Sequence, residues 1–207
     1  MSGFDGRWRV RSAAVVCLAV GGLVASASIA QPARPADEVR RRLATGEIIV
    51  TPALPPGASK TARGGTAVAL MRASPDQVWR VIVDYPGHPR YYPRVTQADV
   101  VESDERHVLV RYQVTVSPFS FSFYMDKFPD PARRRVEWQL ADGRSHGLFQ
   151  ENSGYWQVDE TDAAGTSLVT YAIAVRTMLP GFLTGDSERA SLTDTVTALR
   201  KLVEPQQ

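Results

Sequence analysis

Few residues in this sequence have the types and spacing needed for chemistry. Gly143-Arg144-Ser145-His146-Gly147 matches the G-x-S-x-G pattern of a nucleophile elbow. That elbow works because a strand leads into it and a helix follows, which holds the serine hydroxyl clear of the sheet on a strained turn. Here the following run, LFQENSGYWQV, is strand-like. With Asp142-Gly143 alongside, a tight-turn pair, the segment reads as a hairpin loop and not as a hydrolase site. The three histidines, His88, His107 and His146, sit in separate turn-like regions. None has the H-x-x-x-H or H-E-x-x-H spacing that brings two imidazoles onto one metal ion. His88, between Gly87 and Pro89 and near Tyr91 and Tyr92, reads as a solvent-exposed turn residue, with a place at a cavity mouth as the alternative. Gly64-Gly65 reads as a turn without a phosphate-loop continuation, so nucleotide binding has no support. No catalytic residue, metal site or cofactor is expected. Arg111, Asp126 and Glu151 are polar groups able to orient a ligand, although a one-sided antiparallel sheet places most such residues on its solvated face.

The apolar pattern is more informative. Phe119, Phe121, Phe123 and Met125 alternate with Ser120, Ser122, Tyr124 and Asp126. Core packing alone would justify this, since a buried Phe stabilises by about 1.5–3 kcal/mol. Geometry adds a second reason. A strongly curved sheet under a single helix is hard to fill, and an empty apolar void costs stability in proportion to its volume. A lipid-like ligand restores the lost contact, and apolar pockets with few polar groups are the usual small-molecule sites. Phe121, Phe123, Trp138, Trp156 and Tyr171, with Leu192 from the covering helix, are therefore the candidate ligand-binding residues.

The elements that must position them are legible from their periods. From Val95 to residue 177 the period is two, interrupted by turn signals at Asp104-Glu105, Ser117-Pro118, Pro129-Asp130-Pro131, Asp142-Gly143 and Thr161 to Gly165. Val108, Val110, Tyr112 and Val114 share one strand face, and Gly154 marks a candidate bulge. Upstream, residues 47–51 and 66–71 read as two strands of a long-looped hairpin. Between the hairpin and the sheet, Ser74-Pro75-Asp76-Gln77 is a capping box with proline at the first helical position. The helix it starts places Val78, Val81, Ile82 and Tyr85 on one face and stops at Pro86. Pro180 to Val203 is the long amphipathic helix, with Leu192, Val196, Leu199 and Val203 in one stripe. That stripe is modest in bulk, so the helix reads as the lid of a cavity, with MLPGFL (178–183) as a hinge-like entry.

The first thirty residues read as a signal peptide. Arg7, Arg9 and Arg11 form a basic start, residues 13–24 are apolar, and Ser28-Ile29-Ala30 suits cleavage before Gln31. An N-terminal membrane anchor is the alternative. Those three arginines and Asp5 account for the whole formal charge of +2. The remainder is balanced, which gives no bulk attraction to nucleic acid and at most transient contact with a membrane. The single cysteine, Cys17, lies in the leader, so the exported chain holds no disulfide. Residues 31–45 read as a linker with a short helix (Val39 and Leu43 as partners, Gly46 as its stop, arginines 40–42 solvated), 46–204 as the folded domain and 205–207 as a tail.

The capped SPDQVWRVIVDYPGHPRYYP, then FPDPARRRVEWQL followed by DG, then GYW, then LVTYAIAV with MLPGF before the last helix, resemble in order and spacing the START-like (Bet v 1-like, SRPBCC) superfamily, in its polyketide cyclase/coenzyme Q-binding branch. The resemblance spans roughly residues 46–203 and implies an α+β helix-grip fold: a curved antiparallel sheet, here of about six or seven strands, wrapped on the C-terminal helix around a hydrophobic cavity. It implies binding or carriage of lipids, isoprenoid quinones or polyketides. The export signal sets the chain apart from the mitochondrial quinone-binding members. The expected function is that of an exported carrier for a hydrophobic small molecule, periplasmic or secreted. The alternatives are a cyclase/aromatase- or hydrolase-type enzyme that uses the same cavity, and an interaction module whose groove is filled by its own side chains. An enzyme would need an ionisable group of displaced pKa inside the cavity.

Overall fold

The computed structural model describes residues 35–116, 119–178 and 185–205. The leader and most of the MLPGFL segment lie outside the described residues. Helix α1 (Pro35–Ala44) carries Asp37 and Glu38 in its first turn and Arg41 and Arg42 in its last, which complements the helix dipole. It ends at Gly46, whose φ of +85° is the left-handed conformation a C-terminal stop requires. Strands β1 (Ile49–Thr51) and β2 (Arg63–Met71) pair antiparallel across a long loop. Next comes α2 (Pro75–Val83), followed by a single 3₁₀ helix (Tyr85–Arg90). Six strands then run in sequence: β3 (Val95–Ser103), β4 (Val108–Val116), β5 (Phe119–Asp130), β6 (Arg135–Leu140), β7 (Phe149–Glu160) and β8 (Ser167–Thr177). The chain closes with α3 (Gly185–Val203).

All eight strands form one antiparallel sheet in the order β1-β2-β8-β7-β6-β5-β4-β3. This is one or two more than the six or seven expected. The α+β helix-grip architecture is as expected. The last strand pairs with the second along nine residues, from Arg63↔Val175 to Met71↔Ser167, so the start of the domain is zipped to its end.

The capping box closes as read. Ser74 Oγ accepts from the Gln77 amide at 3.3 Å, and Gln77 Oε1 accepts from the Ser74 amide at 2.9 Å. Val78 and Ile82 are buried by the helix this fixes. At the other end Leu192, Val196 and Leu199 of α3 are buried as one stripe. Arg200, on the flank of that stripe, donates to the Gly46 and Leu70 carbonyls at 2.9 and 3.2 Å, while Glu204 accepts from the Arg72 amide at 2.9 Å. These bonds tie the C-terminal turn of α3 to β2 and the stop of α1.

Two glycine readings are corrected. Gly64-Gly65 does not turn the chain; it lies inside β2, paired with Ala174 and Ile173. A Cβ on Gly65 would lie 2.4 Å from the Thr51 carbonyl oxygen and 3.3 Å from Leu192, so glycine permits the edge strand and α3 to close on β2. Gly154 is in regular register with Trp138 and Ile173, and the irregularity in β7 falls instead between Phe149 and Glu151. A Cβ on Gly154 would meet the Trp138 ring at 2.6 Å. That glycine makes room for an indole.

Candidate functional site

The site grows from the parity of β5. Its partner β4 fixes the register: Val114↔Phe121, Tyr112↔Phe123, Val110↔Met125 and Val108↔Lys127. The alternation read at Phe119, Phe121, Phe123 and Met125 therefore runs one step further and places Lys127 on the same face, inside the protein. Lys127 is only 4% exposed. Its ammonium lies 4.5 Å from the centre of the Trp138 ring and 5.2 Å from that of Tyr112. Cation–π attraction of this kind replaces part of the hydration lost on burial. Burial nonetheless lowers the Lys127 pKa from 10.5 to about 7.

Beneath Tyr112 lies His88, and here the expectation of an exposed turn histidine fails. His88 is 1% exposed, because the 3₁₀ helix folds the segment inward instead of leaving it as an open turn. Four tyrosine rings, from Tyr85, Tyr91, Tyr92 and Tyr112, surround it at centroid distances of 5.1–5.8 Å. His88 Nε2 lies 2.9 Å from the Ile82 carbonyl, and Nδ1 lies 2.7 Å from the Tyr112 hydroxyl. A carbonyl can only accept, so Nε2 carries the proton and Nδ1 accepts from Tyr112. Burial, with Lys127 adding to it, lowers the His88 pKa to about 3, and the ring is neutral. His88 thus orients the phenol whose ring lies under Lys127.

An aromatic band continues around the sheet. Phe123 stacks on Tyr112 at 5.5 Å and meets Phe149 edge-on at 4.6 Å. Tyr171 stacks on Trp138 at 5.9 Å and on Trp156 at 4.2 Å. Between this band, the segment Tyr92–Val95 and α3 is a cavity of about 140 Å³. Its sheet side includes Tyr112, Val114, Phe123, Trp138 and Tyr171; α3 contributes Ser191 and Thr195. Lys127, Asn152 and Arg94 also line the wall. Arg94 has φ of +73°, and its carbonyl accepts from the Thr115 amide at 3.0 Å. A left-handed arginine is a costly backbone state of the kind that clusters at functional positions. An apolar cavity of about 150 Å³ is known to accept benzene, so this one has room for about one aromatic ring.

Of the six candidate residues, Phe123, Trp138 and Tyr171 are on the cavity wall. Trp156 stacks behind Tyr171 and donates from Nε1 to the Tyr92 hydroxyl at 2.7 Å. Leu192 packs toward Gly65, and Phe121 lies against the core near Gly147. The polar candidates face elsewhere. Arg111 is near Asp99 (3.8 Å), Asp126 bonds His107 at 2.7 Å, and Glu151 accepts from the Ser59 amide at 3.0 Å. Ser145 sits in an exposed turn that leads into β7 and not into a helix, so the elbow pattern has no elbow. Among the described residues, no group of three His, Cys, Asp or Glu side chains converges as metal ligands.

Comparison with solved structures places this architecture among known folds. The chain is similar to the Zhui aromatase/cyclase of Streptomyces sp. R1128, at 21% identity and a TM-score of 0.53 over 69% of this chain and 93% of that one. It is also similar to a START superfamily protein of Mycobacterium smegmatis, at 16% identity and a TM-score of 0.56 over 67% and 94%. Comparison with curated proteins gives no match. The family described as polyketide cyclase/dehydrase and lipid transport matches residues 71–200, from the end of β2 to the last turns of α3. The chain belongs to that polyketide cyclase/dehydrase and lipid-transport family.

Proposed function

We propose that the protein is an exported carrier that holds a hydrophobic small molecule, with at least one ring or chain segment in the cavity between the sheet and α3. The observation that supports this reading most is the cavity itself, about 140 Å³ with a mostly aromatic wall. A void of that kind costs stability when empty and regains contact when filled. Among the described residues its wall contains no carboxylate, and the nearest histidine is held behind Tyr112 with both nitrogens bonded. Export rests on the leader, with its basic start, apolar middle and Ser28-Ile29-Ala30 cleavage signal.

One observation favours a second reading, an enzyme of the cyclase type. Lys127 is an ionisable group on the cavity wall with a pKa lowered to about 7, able to give or take a proton at neutral pH. A cavity of one-ring size suits retention of a ligand better than folding of a long polyketide chain, so the carrier reading stands first.

Native mass spectrometry of protein purified from its own cell envelope, followed by lipid extraction, tests the carrier reading. The expected spectrum shows a chain beginning at Gln31 with one apolar molecule bound. An empty chain, with no thermal shift from fatty acids, quinones or aromatic probes, would overturn it.

A further inference from the structure

Among the described residues, Lys127 has no acidic partner. It is nine-tenths buried and more, its neighbours are the Tyr112 and Trp138 rings, and no Asp or Glu of the described residues lies on the cavity wall. Buried charges are ordinarily paired, because removing them from water is expensive. Two aromatic faces supply attraction but no negative charge.

The second polar group of the wall has the same sense. The indole Nε1 of Trp138 donates to the side-chain oxygen of Asn152 at 3.3 Å. An indole nitrogen can only donate, so Asn152 accepts through its oxygen, and its amide N–H groups are the donors it has to offer a ligand. Lys127 and Asn152 thus meet around one indole, and both offer donors. Arg94 also lines this wall and is engaged in a contact of its own. The remaining charged and titratable neighbours do not change the balance. Tyr92, Tyr112 and Tyr171 are phenols whose burial keeps them neutral, and His88 is neutral behind Tyr112. Among the described side chains, α3 contributes the hydroxyls of Ser191 and Thr195, and the latter already donates to the Ser191 carbonyl at 2.8 Å.

We propose that the carried molecule is an acid, an apolar body with a carboxylate head, and that Lys127 receives the carboxylate while Asn152 donates a second hydrogen bond to it. The proposal rests on the carrier reading and deepens it from a hydrophobic ligand to an amphipathic, anionic one. The carboxylate completes a buried ion pair that the protein leaves half-built, and the aromatic wall takes the apolar body. A neutral ligand of the same shape gains the aromatic contact but leaves the ammonium uncompensated.

Isothermal titration with a matched pair of probes tests this: benzoate and benzyl alcohol, at about pH 6, where a carboxylate and Lys127 are both charged. Wild-type protein is expected to bind benzoate at least roughly tenfold more tightly than the alcohol. Lys127→Met is expected to abolish that preference while still binding the alcohol. Equal or weaker binding of the acid to wild type, or a preference that survives Lys127→Met, overturns the assignment and leaves the carrier reading intact. Failure of both probes to bind wild type removes both.

Discussion

Lys127→Met should make the ligand-free protein more stable, and most so below neutral pH. The side chains are nearly the same length, so the aromatic packing survives. The difference is charge. An unfolded lysine holds its proton up to a pH of about 10.5, whereas Lys127 in the folded protein loses it near 7. Between those values the unfolded state binds more protons, so stability rises with pH across that window. Below about 7 the cost of the buried ammonium is present in full. Each pKa unit corresponds to about 1.4 kcal/mol, and replacing buried charges by apolar groups typically recovers about 1–4 kcal/mol. The variant should therefore gain roughly 3 kcal/mol near pH 6. Urea midpoints at about pH 6 and about pH 10 check this. The gap between variant and wild type should narrow as the pH rises. A variant less stable at the lower pH, or a gap unchanged by pH, would mean that the lysine is not burdened in the fold. A protein that keeps such a residue at a cost to its stability keeps it for something other than stability.

His88→Ala should have the opposite effect and the largest one. It removes a ring packed among four tyrosines and leaves the Ile82 carbonyl and the Tyr112 hydroxyl without partners. A cavity and two unsatisfied buried groups together cost about 3–5 kcal/mol. His88 also shapes the acid limb. Its folded pKa of about 3 lies below the ordinary 6.5, so the unfolded state takes up a proton first as the pH falls. Stability is lost progressively from about 6.5 down to about 3. His88→Asn keeps a donor and an acceptor but cannot titrate, so its stability should fall by one proton less over that range. Equal slopes for His88→Asn and wild type would show that the imidazole is accessible to water.

Local signals made most of the fold legible. The Ser74–Gln77 box, the stripe on α3 and the alternation in β4 and β5 each depend on residues close in sequence, and each formed as read. The misreadings share a cause: each depended on a distant partner. Gly64-Gly65 looks like a turn until β8 and α3 are packed against it. Gly154 looks like a bulge until the Trp138 ring needs its space. His88 looks exposed between Gly87 and Pro89 because its partners, Ile82 and Tyr112, come from α2 and from a strand more than twenty residues away. Lys127 was within reach. The even step after Met125 lands on it, but a lysine before Phe128-Pro129 suggests the solvated end of a strand, and only the rings of Tyr112 and Trp138 show otherwise. Of the candidate site, the aromatic half could be read from sequence. The charged half could not, because burial of a charge is decided by what surrounds it.

The measurement closest to the central claim is a nuclear magnetic resonance titration of ligand-stripped protein with benzoate and, separately, with benzyl alcohol. The account predicts saturable one-to-one shifts of the Trp138 indole N–H and of the Phe123 and Tyr171 rings. Residues on the far side of the sheet, such as Arg111 and Asp126, should stay in place, and Val114→Phe, which fills the cavity from its wall, should suppress the shifts. Saturation confined to the outer face, or no saturable shift with either probe, would contradict it.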